Sequence, residues 1–189
     1  MQRVALSLRA VALRHFAAHG FEGASLQRIA AEAGVSKSSV LYHFESKEAL
    51  LEAALRPAID DLDLLLDRLG LPAEGDAGSQ KAFLEGFVDF LLARRLEIAT
   101  IINHGQALSG VPVIDDADAR VRTLSDRLHR GVRPELERLR FGVALAGAAF
   151  VLVASDRWTD EVASDEELRP LLVAVLTDLV LRPARLAAA

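Results

Sequence analysis

Residues 25–51 read SLQRIAAEAGVSKSSVLYHFESKEALL, which packs two short helices and the start of a third into one compact stretch. Ser25 stands at an N-cap position, where its hydroxyl accepts a bond from an orphan amide of the first turn, and Leu26, Ile29, Ala30 and Ala33 follow at helical spacing. Gly34 leaves that helix with positive φ, apolar Val35 pins the turn, and Ser36 caps the next helix. On a helical wheel Val40, Leu41 and Phe44 fall inward, while Ser38, Ser39, Tyr42 and His43 fall outward. Lys37 plots above the apolar side, but in the first turn its long stem can carry the ammonium outward. A face built only for solubility would carry Glu and Lys. Small hydroxyls, a phenol and an imidazole instead approach a phosphate or a base edge closely. By itself the pattern fits either a helix-turn-helix that grips DNA or an αα-corner with a solvated polar face.

Taken whole, the string resembles the N-terminal DNA-binding domain of the TetR/AcrR family of bacterial transcriptional regulators over about residues 3–56. The residues that carry the likeness are Ser25, Ile29 and Ala30, Ala33 to Val35, Ser36 and Lys37, Leu41 and Tyr42, His43 and Phe44, and Ser46 to Glu48. Ser38 and Ser39 replace a more usual Gly-Thr pair, and Leu41 stands where the family more often has a phosphate-contacting Tyr. The resemblance implies an all-α protein of about nine helices. Residues 1–46 form a three-helix head with the helix-turn-helix, and residues 47–189 form a body that binds a ligand and dimerises. It also implies a phosphate contact for Lys47, whose ammonium otherwise sits unfavourably at the positive end of a helix. The residues expected to contact DNA are Ser25, Gln27, Ser36, Lys37, Ser38, Ser39, Tyr42, His43 and Lys47.

Composition agrees. Of 189 residues 51% are hydrophobic and only 5% aromatic, with long Ala/Leu/Val runs and no alternating segments bounded by turns, which argues for helices throughout. The net charge of −5 divides unevenly, with six basic against four acidic residues in positions 1–50 (+2) and −7 in the remainder. The head has the sign that steers toward phosphate. Cysteine is absent, so there is no disulfide framework and no thiolate metal site, in keeping with a reducing cytoplasm. No secretory signal pattern is read at the N-terminus. The longest apolar run, 142–154, is too short to span a bilayer, which takes about 20 residues. A soluble cytoplasmic protein with no membrane partner is expected.

Along the chain, a first helix over 3–19 is predicted to bury Leu6, Ala10, Leu13, Phe16 and Ala17 and to stop at Gly20. A long fourth helix opens at the cap Ser46, carries a leucine face from Leu50 to Leu69 and bends at Pro57. The stretch 70–79 reads as loop, followed by helices over 80–94, 96–108 with Ile98, Ile101 and Ile102 inside, and 115–130. Phe83, Phe87 and Phe90, with Asn103, His104 and Gln106 as orienting polar groups, are the expected binding residues for an apolar small-molecule effector, and Trp158 is read as either a pocket rim or an interface anchor. A packed phenylalanine core with a solvated helix end is the other reading of them. Pro134 suits a first helical turn, and the run 141–154, FGVALAGAAFVLVA, is apolar nearly all round and must be covered on every side. Ser164 and Glu167 form a capping box opening a final helix that Pro183 ends. These last two helices are expected to form the face of a homodimer.

No catalytic constellation emerges. Of the five histidines His15 and His19 stand at i, i+4 but lack a nearby carboxylate ligand other than Glu22, and no Gly-rich phosphate loop follows a strand, so no metal, cofactor or enzyme activity is expected. A small helical enzyme using His104 is the least favoured alternative. The expected function is a DNA-binding regulator, a repressor released from a palindromic double-stranded DNA operator by its effector. A constitutive regulator with a filled core is the alternative.

Overall fold

The computed structural model describes residues 2–69, 76–130, 135–158 and 164–181, and among them every regular element is helical. Helix α1 spans Gln2–Gly23, α2 Leu26–Glu32, α3 Lys37–His43, α4 Lys47–Leu69, α5 Ala77–Ala93, α6 Arg95–His104, α7 Pro112–Arg130, α8 Glu135–Trp158 and α9 Asp165–Leu181, with a 3-10 turn over Gly105–Leu108. The nine α-helices among the described residues match the expected count of about nine. The chain divides into two compact units, 1–62 with 94–121 and 63–93 with 122–189.

In the first unit α1 breaks at Gly20 (φ 69°, ψ 177°), and the break lets Phe21 stack on the fully buried Phe16 at 5.9 Å. Serines open the next three helices as the spacing predicts. Ser25 Oγ accepts from the Gln27 N–H (3.3 Å), Ser36 Oγ from Ser39 (3.1 Å) and Ser46 Oγ from Ala49 (3.1 Å). Each bond satisfies an amide that the helix leaves unpaired, typically worth about 1 kcal/mol. The buried face of α1 is the predicted one only in part, at Leu13 and Phe16. Leu8, Val11, Ala12, Leu13 and Phe16 are inside, whereas Leu6 is 56% exposed and Ala10 is exposed as well. Because α1 packs against both α2 and α6, and most of its positions are apolar, two partners rather than one periodicity choose its seam.

A similar correction applies to α6. Glu97 and Thr100 are buried, Ile98 and Ile101 are half-buried and Ile102 is 42% exposed. Those polar groups can go inside because they are satisfied: Arg94 donates to Glu97 at 3.2 Å, and the Thr100 hydroxyl donates to the Leu96 carbonyl at 2.8 Å. The predicted single helix over 96–108 ends at His104 and continues as the 3-10 turn. Helix α7 starts at Pro112, earlier than predicted, since a proline in the first helical position has no N–H to leave unpaired. On one side of Pro57 in α4, Arg56 pairs with Glu52 (2.9 Å) and with Asp116 of α7 (2.7 Å); on the other, Asp61 pairs with Arg94 (2.7 Å).

In the second unit α5, α8 and α9 pack on one another. Phe83, Leu84, Phe87, Val88 and Leu91 of α5 are buried, as are Phe141, Ala144, Leu145, Ala148 and Leu152 of α8 and Leu176 of α9. Helix α5 begins at Ala77 rather than 80 because Asp76 Oδ1 accepts from the Gly78 and Ser79 amides (3.1 and 3.2 Å). The capping box forms: Ser164 N–H donates to Glu167 at 2.9 Å and Glu167 N–H to Ser164 Oγ at 3.4 Å. The run 141–154 is covered on one side only, since Val143 (57%), Phe150 (51%) and Val151 (43%) are exposed. Pro134, Pro183 and residues 70–75 of the expected loop lie outside the described residues.

Candidate nucleic-acid interface

Helices α2 and α3 are joined through Gly34, at φ 70°, with Val35 packed against the core beneath. Only Val40 (0% exposed) and Phe44 (9%) anchor α3, so its exposed arc consists of Lys37, Ser38, Leu41 and Tyr42. This corrects the wheel. Leu41, predicted to point inward, is 41% exposed, while Ser39 and His43 are half-buried. In a helix of seven residues Val40 and the C-cap Phe44 are enough to seal the core, and Leu41, about 100° round from Val40, is turned out. Tyr42 is 75% exposed, with its ring edge-on to His43 at 5.5 Å.

The expected contacts differ in how free they are. Ser36 Oγ caps α3 and also shares a 2.8 Å bond with Ser38 Oγ. Gln27 is exposed next to the cap Ser25, and Arg28 beside it is exposed too, a cation the site prediction passed over. Lys47 lies at the start of α4 with its ammonium 4.4 Å from the Phe21 ring centroid and 3.5 Å from the Glu22 carbonyl. The aromatic face and the carbonyl hold the charge at the helix start without neutralising it.

Helices α1 and α2 are tied by Glu32, which accepts from Arg14 at 2.7 Å and lies 2.8 Å from His15 Nε2. Those bonds, the Arg14 one foremost, hold the Glu32 carboxyl below its usual range. Glu48 is held low by its own backbone N–H and by Ser46, and Asp116 by Arg56. A carboxylate whose folded pKa is depressed contributes stability that is complete above its unfolded pKa, ordinarily 4.5 for Glu and 3.8 for Asp, and is lost as pH falls through the folded value. The melting temperature is therefore expected to decline with acid from about pH 5 downward. Glu32→Gln should make that decline shallower, and an unchanged acid limb would show that the α1–α2 tie carries none of it.

The expected effector residues fall in different units. Phe83 and Phe87 of the second unit are buried and stack nearly parallel at 6.2 Å, Phe83 lies 5.8 Å from Phe141, and Phe87 lies 6.2 Å from half-buried Phe90. In the first unit Asn103 is exposed, and His104 is turned to α1, its Nε2 3.4 Å from the Ala17 carbonyl. Trp158 ends α8, and its side chain lies outside the described residues. A surface groove of about 600 Å³ in the second unit, lined from α5 and α9 by Lys81, Arg169, Thr177 and Leu181 among others, contains none of the expected effector residues. Among the described residues no helix is long and apolar enough to cross a membrane, and no group of three or more His, Cys, Asp or Glu is arranged to hold a metal ion.

A capped, Gly-joined pair of helices that presents the second on an exposed polar arc defines a helix-turn-helix domain of the DNA-binding class. Residues 8–54 match the family described as "Bacterial regulatory proteins, tetR family". Over these residues the chain is similar to the DNA-binding domain of TetR-family transcriptional regulators. It is 48% identical over 54 residues to the HTH-type transcriptional regulator RutR of Escherichia coli (strain K12), a match covering 29% of this chain and 26% of RutR. The likeness thus spans about a quarter of the curated relative's length. The whole fold is similar to a TetR-family regulator from Bordetella parapertussis (TM-score 0.71, 19% identity, all of both chains). It is also similar to AibR in complex with isovaleryl coenzyme A and operator DNA (TM-score 0.64, 22% identity, 92% of this chain and 98% of AibR).

Proposed function

We propose that the chain acts in the cytoplasm as a homodimeric transcriptional repressor, released from a palindromic operator by an apolar small molecule. Residues 1–46 serve as the reader and 47–189 as the effector-binding and dimerising body. The observation that carries DNA reading is the exposed arc of α3, where Lys37, Ser38, Leu41 and Tyr42 stand on a helix anchored by Val40 and Phe44. Ser25, Gln27, Ser36 and Lys47 border it and position phosphate, and Ser39 and His43 lie at its partly buried edge. The dimer reading is supported by exposed apolar side chains one or two turns apart on α8 and α9. AibR, which binds an acyl coenzyme A as well as operator DNA, supports an effector that works through the body. The constitutive alternative is favoured by one feature, the packing of buried Phe83 against both Phe87 and Phe141, the arrangement of a filled core.

Selection of bound sequences from random DNA is expected to return a palindrome with half-sites about one helical turn apart or somewhat more. Tyr42→Ala should weaken binding to all sequences alike without lowering stability, since the ring is 75% exposed. Enrichment of no sequence would overturn the operator reading. A thermal-shift screen separates the two versions, because an effector at a hundred times its dissociation constant adds about 2.7 kcal/mol. Silence across diverse apolar compounds would leave the constitutive regulator.

A further inference from the structure

We propose that Leu41 is a specificity-determining residue that reads the 5-methyl group of a thymine in the major groove. The inference rests on the DNA-binding reading above and names what one position of that interface recognises. Leu41 is 41% exposed although the core beneath α3 is already sealed by Val40 and Phe44. It follows Lys37 by one turn, as Tyr42 follows Ser38, so the four side chains form two adjacent rows and Leu41 is the apolar member among them. Helix α3 contains no acidic residue, so nothing on this arc repels phosphate.

A leucine has neither donor nor acceptor. Pressed against guanine O6 and N7, adenine N6 and N7 or cytosine N4, it would strip water from a polar edge and return no hydrogen bond. The thymine methyl is the apolar group that the base edges present in the major groove, and it is the partner that gains from covering Leu41. Two copies of the reader on a palindrome place one such thymine in each half-site.

The experiment uses the full-length protein and the operator recovered by selection, with each thymidine replaced in turn by deoxyuridine, which lacks only that methyl. At one thymine per half-site the replacement is expected to weaken binding about fourfold, and about fifteenfold when made in both halves, the effect of losing one buried carbon from each contact. Leu41→Ala should bind the thymidine and deoxyuridine operators equally, with an unchanged melting temperature because the position is exposed. A deoxyuridine series that is neutral everywhere, or a penalty that persists undiminished in Leu41→Ala, would overturn the assignment while leaving DNA binding intact. A selection that enriches no sequence removes both readings, and it does so before any base is modified.

Discussion

Gly20→Val is expected to destabilise the first unit by about 3 kcal/mol, more than the same substitution at Gly34. Both glycines have positive φ, 69° and 70°, but their surroundings differ. Gly20 also has ψ near 177°, a region that only glycine commonly occupies, where another residue costs on the order of 1–3 kcal/mol. A Cβ there would lie 3.3 Å from His104 Nδ1 and 3.4 Å from its Cε1, so the imidazole must give by a few tenths of an ångström, which strains its 3.4 Å contact with the Ala17 carbonyl. At Gly34 a Cβ would meet nothing within 4 Å, leaving only conformational strain of roughly 1–2 kcal/mol. Denaturant melts followed by circular dichroism measure both, and repeating Gly20→Val in a His104→Ala background isolates the clash. The background should recover about 1 kcal/mol at position 20 and nothing at 34. Equal penalties at the two glycines, or no recovery, would show that the α1 break does not depend on the fit to His104. The consequence reaches the interface, because the break puts Phe21 under the Lys47 ammonium at 4.4 Å.

The local grammar of the head was legible because it depends on near neighbours. Ser25, Ser36 and Ser46 cap the helices their spacing predicted, and Gly20 and Gly34 break where predicted. What was misread required knowledge of packing partners. The wheel put Leu41 inside because it could not know that Val40 and Phe44 suffice for so short a helix. The same limit misassigned Leu6 in α1 and Ile102 in α6. Asp76 and Pro112, which start α5 and α7 early, carried readable signals, an N-cap aspartate and a first-turn proline, that the loop-like residues around them obscured.

The body was less legible at the level of a site. Phe83, Phe87 and Phe90 share a helix face in the sequence, and one face can line a cavity or fill a core equally well; the packing of Phe83 against Phe141 follows from α5 meeting α8, which no spacing encodes. Asn103 and His104 were grouped with them by polarity. His104 instead turns to α1, where a carbonyl and a side-chain-free glycine make room for its ring.

The substitution pair Val143→Glu and Val175→Glu is expected to turn a dimer into a folded monomer and to cost on the order of a thousandfold in operator affinity. Helix α8 exposes Leu139 (64%), Val143 (57%) and Phe150 (51%), and α9 exposes Leu171 (62%), Val175 (55%) and Leu179 (39%). The two helices pack on each other, so two copies related by a twofold axis can bury both rows as a four-helix bundle. In such a bundle each new carboxylate would be buried without a partner, a penalty of several kcal/mol per charge that outweighs the methyl groups it replaces. In a monomer the same carboxylates face water, so the fold survives; Phe141→Glu, at a fully buried ring of α8, should instead unfold the unit and serves as the contrast. Sedimentation or light scattering reads the oligomeric state. Gel-shift titration reads the affinity, which falls because a second head tethered at millimolar effective concentration becomes one that must be recruited from solution. A doubly substituted protein that stays dimeric would place the interface elsewhere on the surface. A monomer that binds the palindrome as tightly as before would mean that one head supplies the whole affinity, and that α8 and α9 have no part in holding two readers at a set distance.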